Sequence, residues 1–290
     1  MIALLVKPVA WKRAKFRRVL DGLVQGGAYV LQSHTARDIA QEVTQLLNQY
    51  GDVTVVACGG DGTAHLLANG VYGLDVTFAV IPMGTGNDFA RYLGITDLDT
   101  ALDTLHGSEF MGIDVGTVSL DDGTTRHFIG VTSCGFDAQV NERANTYRGP
   151  QGTAKYVAAL LGELKSLKPL TIAVDVDGVS EVRTVILMAI GNTNSYGGGM
   201  RVCPQASALD GVFTVTSVEV VSRSLLLRVF PKVFTGSHIH HPKVSTFDAK
   251  TIRISGTAFP MYADGERIGM GPATIAISPQ ALLVKVKSPQ

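Results

Sequence analysis

Val53-Thr54-Val55-Val56-Ala57-Cys58 runs into Gly59-Gly60-Asp61-Gly62-Thr63, and Phe78-Ala79-Val80-Ile81 runs into Pro82-Met83-Gly84-Thr85-Gly86-Asn87-Asp88. One pattern is written twice. Both runs are β-branched and apolar throughout, as parallel strands covered on both faces are, and each stops at a turn expected to need the conformational freedom of glycine. Ligands of open α/β sheets bind at such strand ends. A glycine turn there lets backbone N–H groups approach phosphate oxygens, and the hydroxyls of Thr63 and Thr85 add donors beside them. Either turn alone also fits an α/β protein with no phosphate ligand. Two turns with Asp61 and Asp88 at matched positions say more, because a carboxylate beside phosphate is repulsive unless a divalent cation sits between them. Phosphate with Mg²⁺ is the expectation. The chain has no P-loop ending of Gly-Lys-Ser/Thr, so these turns belong to another nucleotide-binding scheme.

Outward from this stretch, residues 1–108 alternate strand and helix, with strands expected at 2–6, 28–33, 53–57 and 77–81. Helices are expected at 12–24, 36–49, 63–70, 87–93 and 98–106. This is an α/β nucleotide-binding domain. From 109 to 290 the texture changes to strand-like runs at 112–120, 125–132, 170–176, 181–190, 212–221, 251–255 and 274–277. Turns such as Asp121-Asp122-Gly123, Asp177-Gly178 and Ala263-Asp264-Gly265 separate them. A β-rich antiparallel C-terminal domain is expected, interrupted by helices near 153–167 and 222–236. The closing run 282–286 is compatible with either sheet.

Composition bounds the function. The chain has 290 residues, 46% of them apolar, enough for a substantial core. Lys plus Arg and Asp plus Glu are 25 each, so the formal net charge is zero and no strong positive field invites nucleic acid. No apolar run is long enough to span a bilayer, and Met1-Ile2-Ala3-Leu4-Leu5-Val6 is strand-length with no basic segment ahead of it. A cytoplasmic protein is expected, peripheral at the inner membrane surface at most. Cys58, Cys134 and Cys203 are far apart and read as buried, inert thiols. His238, His240 and His241 lack a companion Cys or acidic cluster and read as a loop beside a helix end rather than a metal site.

With these residues in place, the chain resembles the soluble diacylglycerol kinase catalytic family, which includes bacterial diacylglycerol kinases and, more distantly, sphingosine and ceramide kinases. The resemblance rests on Gly59-Gly60-Asp61-Gly62-Thr63, then Pro82 through Asn87-Asp88-Phe89-Ala90-Arg91, then Gly135-Phe136-Asp137-Ala138. Gly191-Asn192, Gly197-Gly198-Gly199-Met200, Leu209-Asp210-Gly211 and Asp264-Gly265-Glu266 follow in family order. Gly-Gly-Asp-Gly alone also fits NAD kinases and phosphofructokinases, whose first domain is similar; the later blocks favour the lipid kinases.

The resemblance implies ATP- and Mg²⁺-dependent transfer of the γ-phosphoryl to a lipid hydroxyl, in a cleft between two domains. It places nucleotide binding on Gly59, Gly60, Asp61, Gly62, Thr63, Gly84, Thr85, Gly86, Asn87 and Asp88, with Asp61 and Asp88 holding Mg²⁺ largely through water. Glu266 falls on the general base, with Asp264 the next candidate; an attacking alcohol needs a proton acceptor in reach. From spacing alone, Ala263-Asp264-Gly265 reads as a hairpin turn. A structural Mg²⁺ is implied at Ser207, Asp210 and Val212, the last through its backbone carbonyl. Diacylglycerol is the first choice of acceptor, with transient membrane-surface contact and a homodimer among the expected associations. Other long-chain alcohols, sphingoid bases, a soluble substrate of the NAD kinase type and a catalytically impaired nucleotide-binding regulator are the alternatives.

Several positions depart from the family pattern. Lys7-Pro8 stands for the usual Asn-Pro, Leu66 for a common glutamate, and Gln205 for an acid after Pro204. Lys12 reaches towards phosphate or belongs, with Arg13, Lys15, Arg17 and Arg18, to one solvated helix face. The stripe Leu225, Leu226, Leu227, Val229, Phe230, Val233 and Phe234, interleaved with Arg223, Arg228 and Lys232, fits either a core-packed helix or an anionic membrane and acyl chain. Tyr156, Leu160, Leu161 and Leu164 carry the same ambiguity.

Overall fold

The computed structural model describes residues 1–136 and 167–287, together with Val140, Ala158, Ala159 and Gly162. The motif residues Asp137 and Ala138, and most of the helix expected near 153–167, including Tyr156, Leu160, Leu161 and Leu164, lie outside the described residues. The chain divides into two units, Met1–Ile113 with Gln280–Gln290, and Asp114–Pro279.

In the first unit, β1 (Ile2–Val6), β2 (Tyr29–Val30), β3 (Thr54–Gly59) and β4 (Thr77–Pro82) pair in the order β2-β1-β3-β4, every pair parallel. β3 and β4 are buried almost throughout, which their unbroken apolar sequence demands. The helices are α1 (Ala14–Gln25), α2 (Ala36–Tyr50), α3 (Asp61–Val71), α4 (Asp88–Tyr92) and α5 (Leu98–His106). Thr35 caps α2 by accepting from the Asp38 N–H, and Asp97 caps α5 through Thr100. Helix α2 buries Ile39, Val43 and Leu46, one stripe at helical spacing. Gly70 of α3 admits it, since a Cβ there would meet Ile39 Cγ2 at 2.5 Å.

The second unit holds β5 (Phe110–Leu120, from Asp114 on), β6 (Thr125–Phe128), β7 (Val131–Gly135), β8 (Leu170–Val176), β9 (Val179–Gly191) and β10 (Phe213–Glu219). After α6 (Arg223–Val229) come β11 (Val244–Ala249), β12 (Thr251–Gly256), β13 (Pro260–Ala263), β14 (Glu266–Met270) and β15 (Ala273–Lys285). β9 pairs antiparallel with β7, β8 and β10, and β12 with β8 and β15; the end of β15, from Gln280 on, belongs to the first unit. Their core gathers Phe128, Met188, Phe213, Ile252 and Ile275, and the rings of Phe128 and Phe213 stack at 5.6 Å.

Four expectations need correction. The run expected at 125–132 is two strands, because Ile129 and Gly130 break the ladder. The runs 274–277 and 282–286 are one strand, β15, whose Thr274 and Ile275 pair with β12 and whose Leu283 and Val284 pair parallel with β4 in the first unit. The helix expected over 222–236 ends at Val229 and tightens into a 3-10 stretch, Phe230–Phe234, where Pro231 supplies no amide hydrogen. His238 also lies in a 3-10 turn, Ser237–His240, with its side chain in the interior rather than on a loop.

Candidate functional site

Two glycine turns leave the first unit's sheet side by side. β3 and β4 pair in register from Thr54↔Thr77 to Gly59↔Pro82, so both chains turn at one edge. The Met83 N–H donates to the Gly59 carbonyl at 2.7 Å, and the Gly84 N–H bonds both that carbonyl, at 3.2 Å, and Asn87 Oδ1, at 3.0 Å. Asn87 Nδ2 returns a bond to the Gly84 carbonyl at 3.1 Å. A Cβ on Gly84 would lie 2.5 Å from Gly60 Cα.

Here the reason for the glycines differs from the one expected. Gly59, Gly60 and Gly84 do not sit in the left-handed region; Gly60 and Gly84 are small because two backbones touch. Gly59 makes room for the Thr63 side chain instead. The left-handed residue of the second turn is Asn87, at φ 55°, whose short amide side chain bonds within its own turn.

Asp61 opens α3 and accepts from the Phe89 N–H at 3.1 Å, tying the first turn to the start of α4. Asp88 is buried and paired with Arg91 at 2.7 Å, while Arg91 also donates to the Gly86 carbonyl at 2.7 Å. Asp61 thus bonds the peptide that follows Asp88. Gly62 and Thr85 are exposed, and Thr63 is half-buried with its N–H on the Gly60 carbonyl at 2.9 Å. The chain leaves β1 at this same edge, because the Lys7 N–H bonds the Cys58 carbonyl at 3.2 Å. Lys12 follows in an exposed 3-10 turn, and Arg13, Lys15, Arg17 and Arg18 are exposed with it, Arg13 lying 5.6 Å from the Phe16 ring centroid. His65, beside Leu66, is buried in α3.

In the second unit Asp264 and Gly265 form a two-residue hairpin between β13 and β14, both left-handed at φ 52° and 82°. The Asp264 carboxylate accepts three backbone N–H bonds, from Ile129 at 3.1 Å, Gly130 at 2.8 Å and Val131 at 3.1 Å. Glu266, the first residue of β14, is exposed and its side chain meets no hydrogen-bonding or charged partner among the described residues.

The loop before β10 carries Ser207, Asp210 and Val212. Asp210 is exposed and accepts from the Val212 N–H at 3.2 Å, an Asx turn. Gly211, left-handed at φ 73°, donates its N–H to Asp114 Oδ2 at 2.8 Å. Among the described residues no three His, Cys, Asp or Glu side chains cluster in a way that could hold a metal ion. Asp114 is 1% exposed, and the sequence reading passed over it. Its signal was faint: one acid within the apolar run Met111-Gly112-Ile113-Asp114-Val115. Asn192, also fully buried, donates its amide to the carbonyls of Asp114 at 2.8 Å and Ile129 at 2.9 Å.

An apolar cavity lies beneath α6, lined by Ile186, Met200, Val218, Leu226, Phe230 and Val233 among others. Gly197, Gly198 and Gly199 are left-handed in succession, at φ 63°, 86° and 100°, and fold Met200 back to bond Tyr196, placing both on the cavity wall. No residue of α6 is fully buried, although part of its stripe packs inwards. Thr216 and His238 line the same cavity. His238 Nε2 donates to the Val202 carbonyl at 3.2 Å, and burial holds its pKa below the usual imidazole value. The three cysteines are free and buried, and burial pushes the Cys58 thiol up.

A parallel α/β unit with paired glycine turns, followed by an antiparallel β unit, defines a two-domain kinase fold. The diacylglycerol kinase catalytic domain matches residues 9–118, and the YegS C-terminal NAD kinase beta sandwich-like domain matches residues 130–286. A diacylglycerol kinase of Mycobacterium tuberculosis (strain ATCC 25618 / H37Rv) is 38% identical over 237 residues, 81% of this chain and 77% of that protein. A solved diacylglycerol kinase from Bacillus anthracis str. Sterne is similar at a TM-score of 0.71 and 18% identity, covering 99% of this chain and 97% of its own. An NAD kinase from Archaeoglobus fulgidus, solved with ATP, shares the fold at a TM-score of 0.54 and 12% identity, over 99% of this chain and 94% of its own. The chain belongs to the diacylglycerol kinase family and is a phosphotransferase of the lipid-kinase class. No helix among its described residues is long and apolar enough to cross a membrane.

Proposed function

We propose that this enzyme transfers the γ-phosphoryl of ATP to the free hydroxyl of diacylglycerol, giving phosphatidic acid and ADP. The observation that carries the nucleotide half is the contact of Gly60 with Gly84, which brings two backbone turns together at the carboxyl ends of parallel strands. The turns' N–H groups other than those of Thr63, Met83 and Gly84, which bond within the turns, would receive phosphate oxygens together with the Thr63 and Thr85 hydroxyls. Oxygen donors at Asp61 and Asp88 suit Mg²⁺, and because Phe89 and Arg91 already engage them, they would hold it through water. Bound there, the ion would neutralise charge developing on the phosphates. Asp210, with Ser207 and the Val212 carbonyl, would hold a second, structural ion.

The acceptor half rests on the apolar lining of the cavity beneath α6, whose chemistry suits an acyl chain although its volume of about 80 Å³ holds only part of one. Glu266 takes the proton from the acceptor hydroxyl as its oxygen bonds to the γ-phosphorus and the bond to the ADP oxygen breaks. The exposed cations of Lys12, Arg13, Lys15, Arg17 and Arg18 support transient contact with an anionic membrane surface.

The test is incubation of the purified protein with labelled ATP and diacylglycerol, sphingosine, undecaprenol or NAD, with and without Mg²⁺. Mg²⁺-dependent label on diacylglycerol is expected. Label on NAD alone would make it a kinase of a soluble substrate, and no transfer to any acceptor would leave a nucleotide-binding regulator.

A further inference from the structure

The turn between β6 and β7 is held from two sides. On one side, the Asp264 carboxylate takes the N–H groups of Ile129, Gly130 and Val131, and the Asp264 N–H donates to the Val131 carbonyl at 2.9 Å. On the other, the Asn192 amide bonds the Ile129 carbonyl, and the backbone N–H groups of Asn192 and Thr193 bond the Gly130 carbonyl at 2.8 and 3.0 Å. Every polar backbone group of Ile129 and Gly130 is therefore engaged. Gly130 is also sterically required: a Cβ there would sit 2.6 Å from Asp264 Oδ1.

What this grip fixes is the hairpin. Asp264 occupies a left-handed conformation, which an aspartate tolerates best where its short side chain is held by hydrogen bonds. Three charge-assisted bonds to a rigid turn supply that constraint. Ala263 pairs with Thr132 of β7 on one side and with Glu266 on the other, so the backbone carrying Glu266 departs from the gripped turn. The Asp264 oxygens face amide donors, which suits a brace and not an acceptor for a substrate proton.

We infer that Asp264 is a positioning residue, aiming Glu266 at the acceptor hydroxyl by gripping the Ile129–Gly130–Val131 backbone, and that Gly130 is needed for the grip to close. This rests on the proposed role of Glu266 as general base. A brace that works through Glu266 has nothing left to aim once the carboxylate is gone.

The experiment is steady-state kinetics on Asp264→Asn, Gly130→Ala and Glu266→Gln, and on each of the first two combined with Glu266→Gln, with ATP affinity measured by calorimetry. Asp264→Asn and Gly130→Ala are each expected to lower kcat about tenfold or more, with ATP affinity within about twofold of wild type. In the Glu266→Gln background neither should lower kcat by more than about twofold, because residues acting as one unit are non-additive. Full additive losses in that background, or wild-type kcat in the single variants, overturn the brace. Should Asp264→Asn fail to fold, Gly130→Ala decides, since it strikes the same grip from the opposite side. The base assignment is judged separately: Glu266→Gln with wild-type turnover removes it and the brace with it, whereas a slow Glu266→Gln beside a fast Asp264→Asn removes the brace alone.

Discussion

At the β3–β4 junction backbone lies against backbone, whereas at the β13–β14 hairpin a side chain reaches to backbone more than a hundred residues earlier in the chain. The first arrangement is a matter of absence, since Gly60 and Gly84 meet because neither carries a Cβ. The second is a matter of presence, one carboxylate satisfying three donors. Small residues at a junction tolerate no addition, and a carboxylate brace tolerates no subtraction. Asp61 belongs to the second kind, opening α3 while its carboxylate accepts from Phe89 on α4, so its removal would disturb the start of α4 as well as the proposed Mg²⁺ site.

The sharpest way to break this contrast is Gly84→Ala. The new methyl would face Gly60 Cα at 2.5 Å and Asn87 Oδ1 at 2.7 Å, and the first of these is backbone with nowhere cheap to go. A loss of about 1–3 kcal/mol in stability is expected from overpacking of this kind. ATP affinity should fall by more than about tenfold. Urea unfolding and calorimetry check both, and a variant that binds ATP as wild type does would show that the junction yields.

A smaller effect is expected at Asp210, whose carboxylate, among the described residues, bonds only within its own turn. If that loop takes a structural ion, the wild-type Tm rises with Mg²⁺ in nucleotide-free protein, by mass action on the native state. Asp210→Ala should abolish the rise. A wild-type Tm indifferent to Mg²⁺ would remove the loop as a metal site, an outcome that Gln205 in place of an acid favours.

The smallest effect lies away from both turns, at His238. Burial depresses its folded pKa, so the unfolded chain binds the proton more readily, and the contribution is present above the unfolded value of about 6.5. It is lost as the pH falls below that value. Thermal melts between pH 7.5 and 5.5 should show wild type losing more Tm than His238→Gln, and equal losses would show that the buried ring does not govern the acid limb.

How far the sequence disclosed all this follows the same contrast. Apolar runs ending in glycine marked β3 and β4 almost to the residue, because both strands are covered on two faces and carry no competing signal. Gly197-Gly198-Gly199 was legible as a special block, and three successive left-handed residues are its physical cause. Gly130 was not legible, since its requirement comes from an oxygen on Asp264 that no local pattern announces. Nor were β11, β13 and β14 foreseen as strands, being short and, in β11 and β14, largely exposed. Why these turns carry glycine was misread as a demand for left-handed backbone, because sequence reveals where side chains are missing and not what occupies the space.

The path of β15 bears on the order in which the protein is made. Leu283 and Val284 pair with Thr77 and Phe78 of β4, and the Val286 N–H bonds the Glu109 carbonyl. A ribosome that has delivered the first 113 residues has delivered a sheet whose β4 flank still lacks its neighbour, and the whole of Asp114–Pro279 must follow before that neighbour is synthesised. During this interval β4 presents open amide and carbonyl groups on a largely apolar strand, the condition under which nascent chains pair with the wrong partner. The candidate nucleotide turn at the end of β4 therefore belongs to a sheet that gains its β15 neighbour only after the second unit has been made.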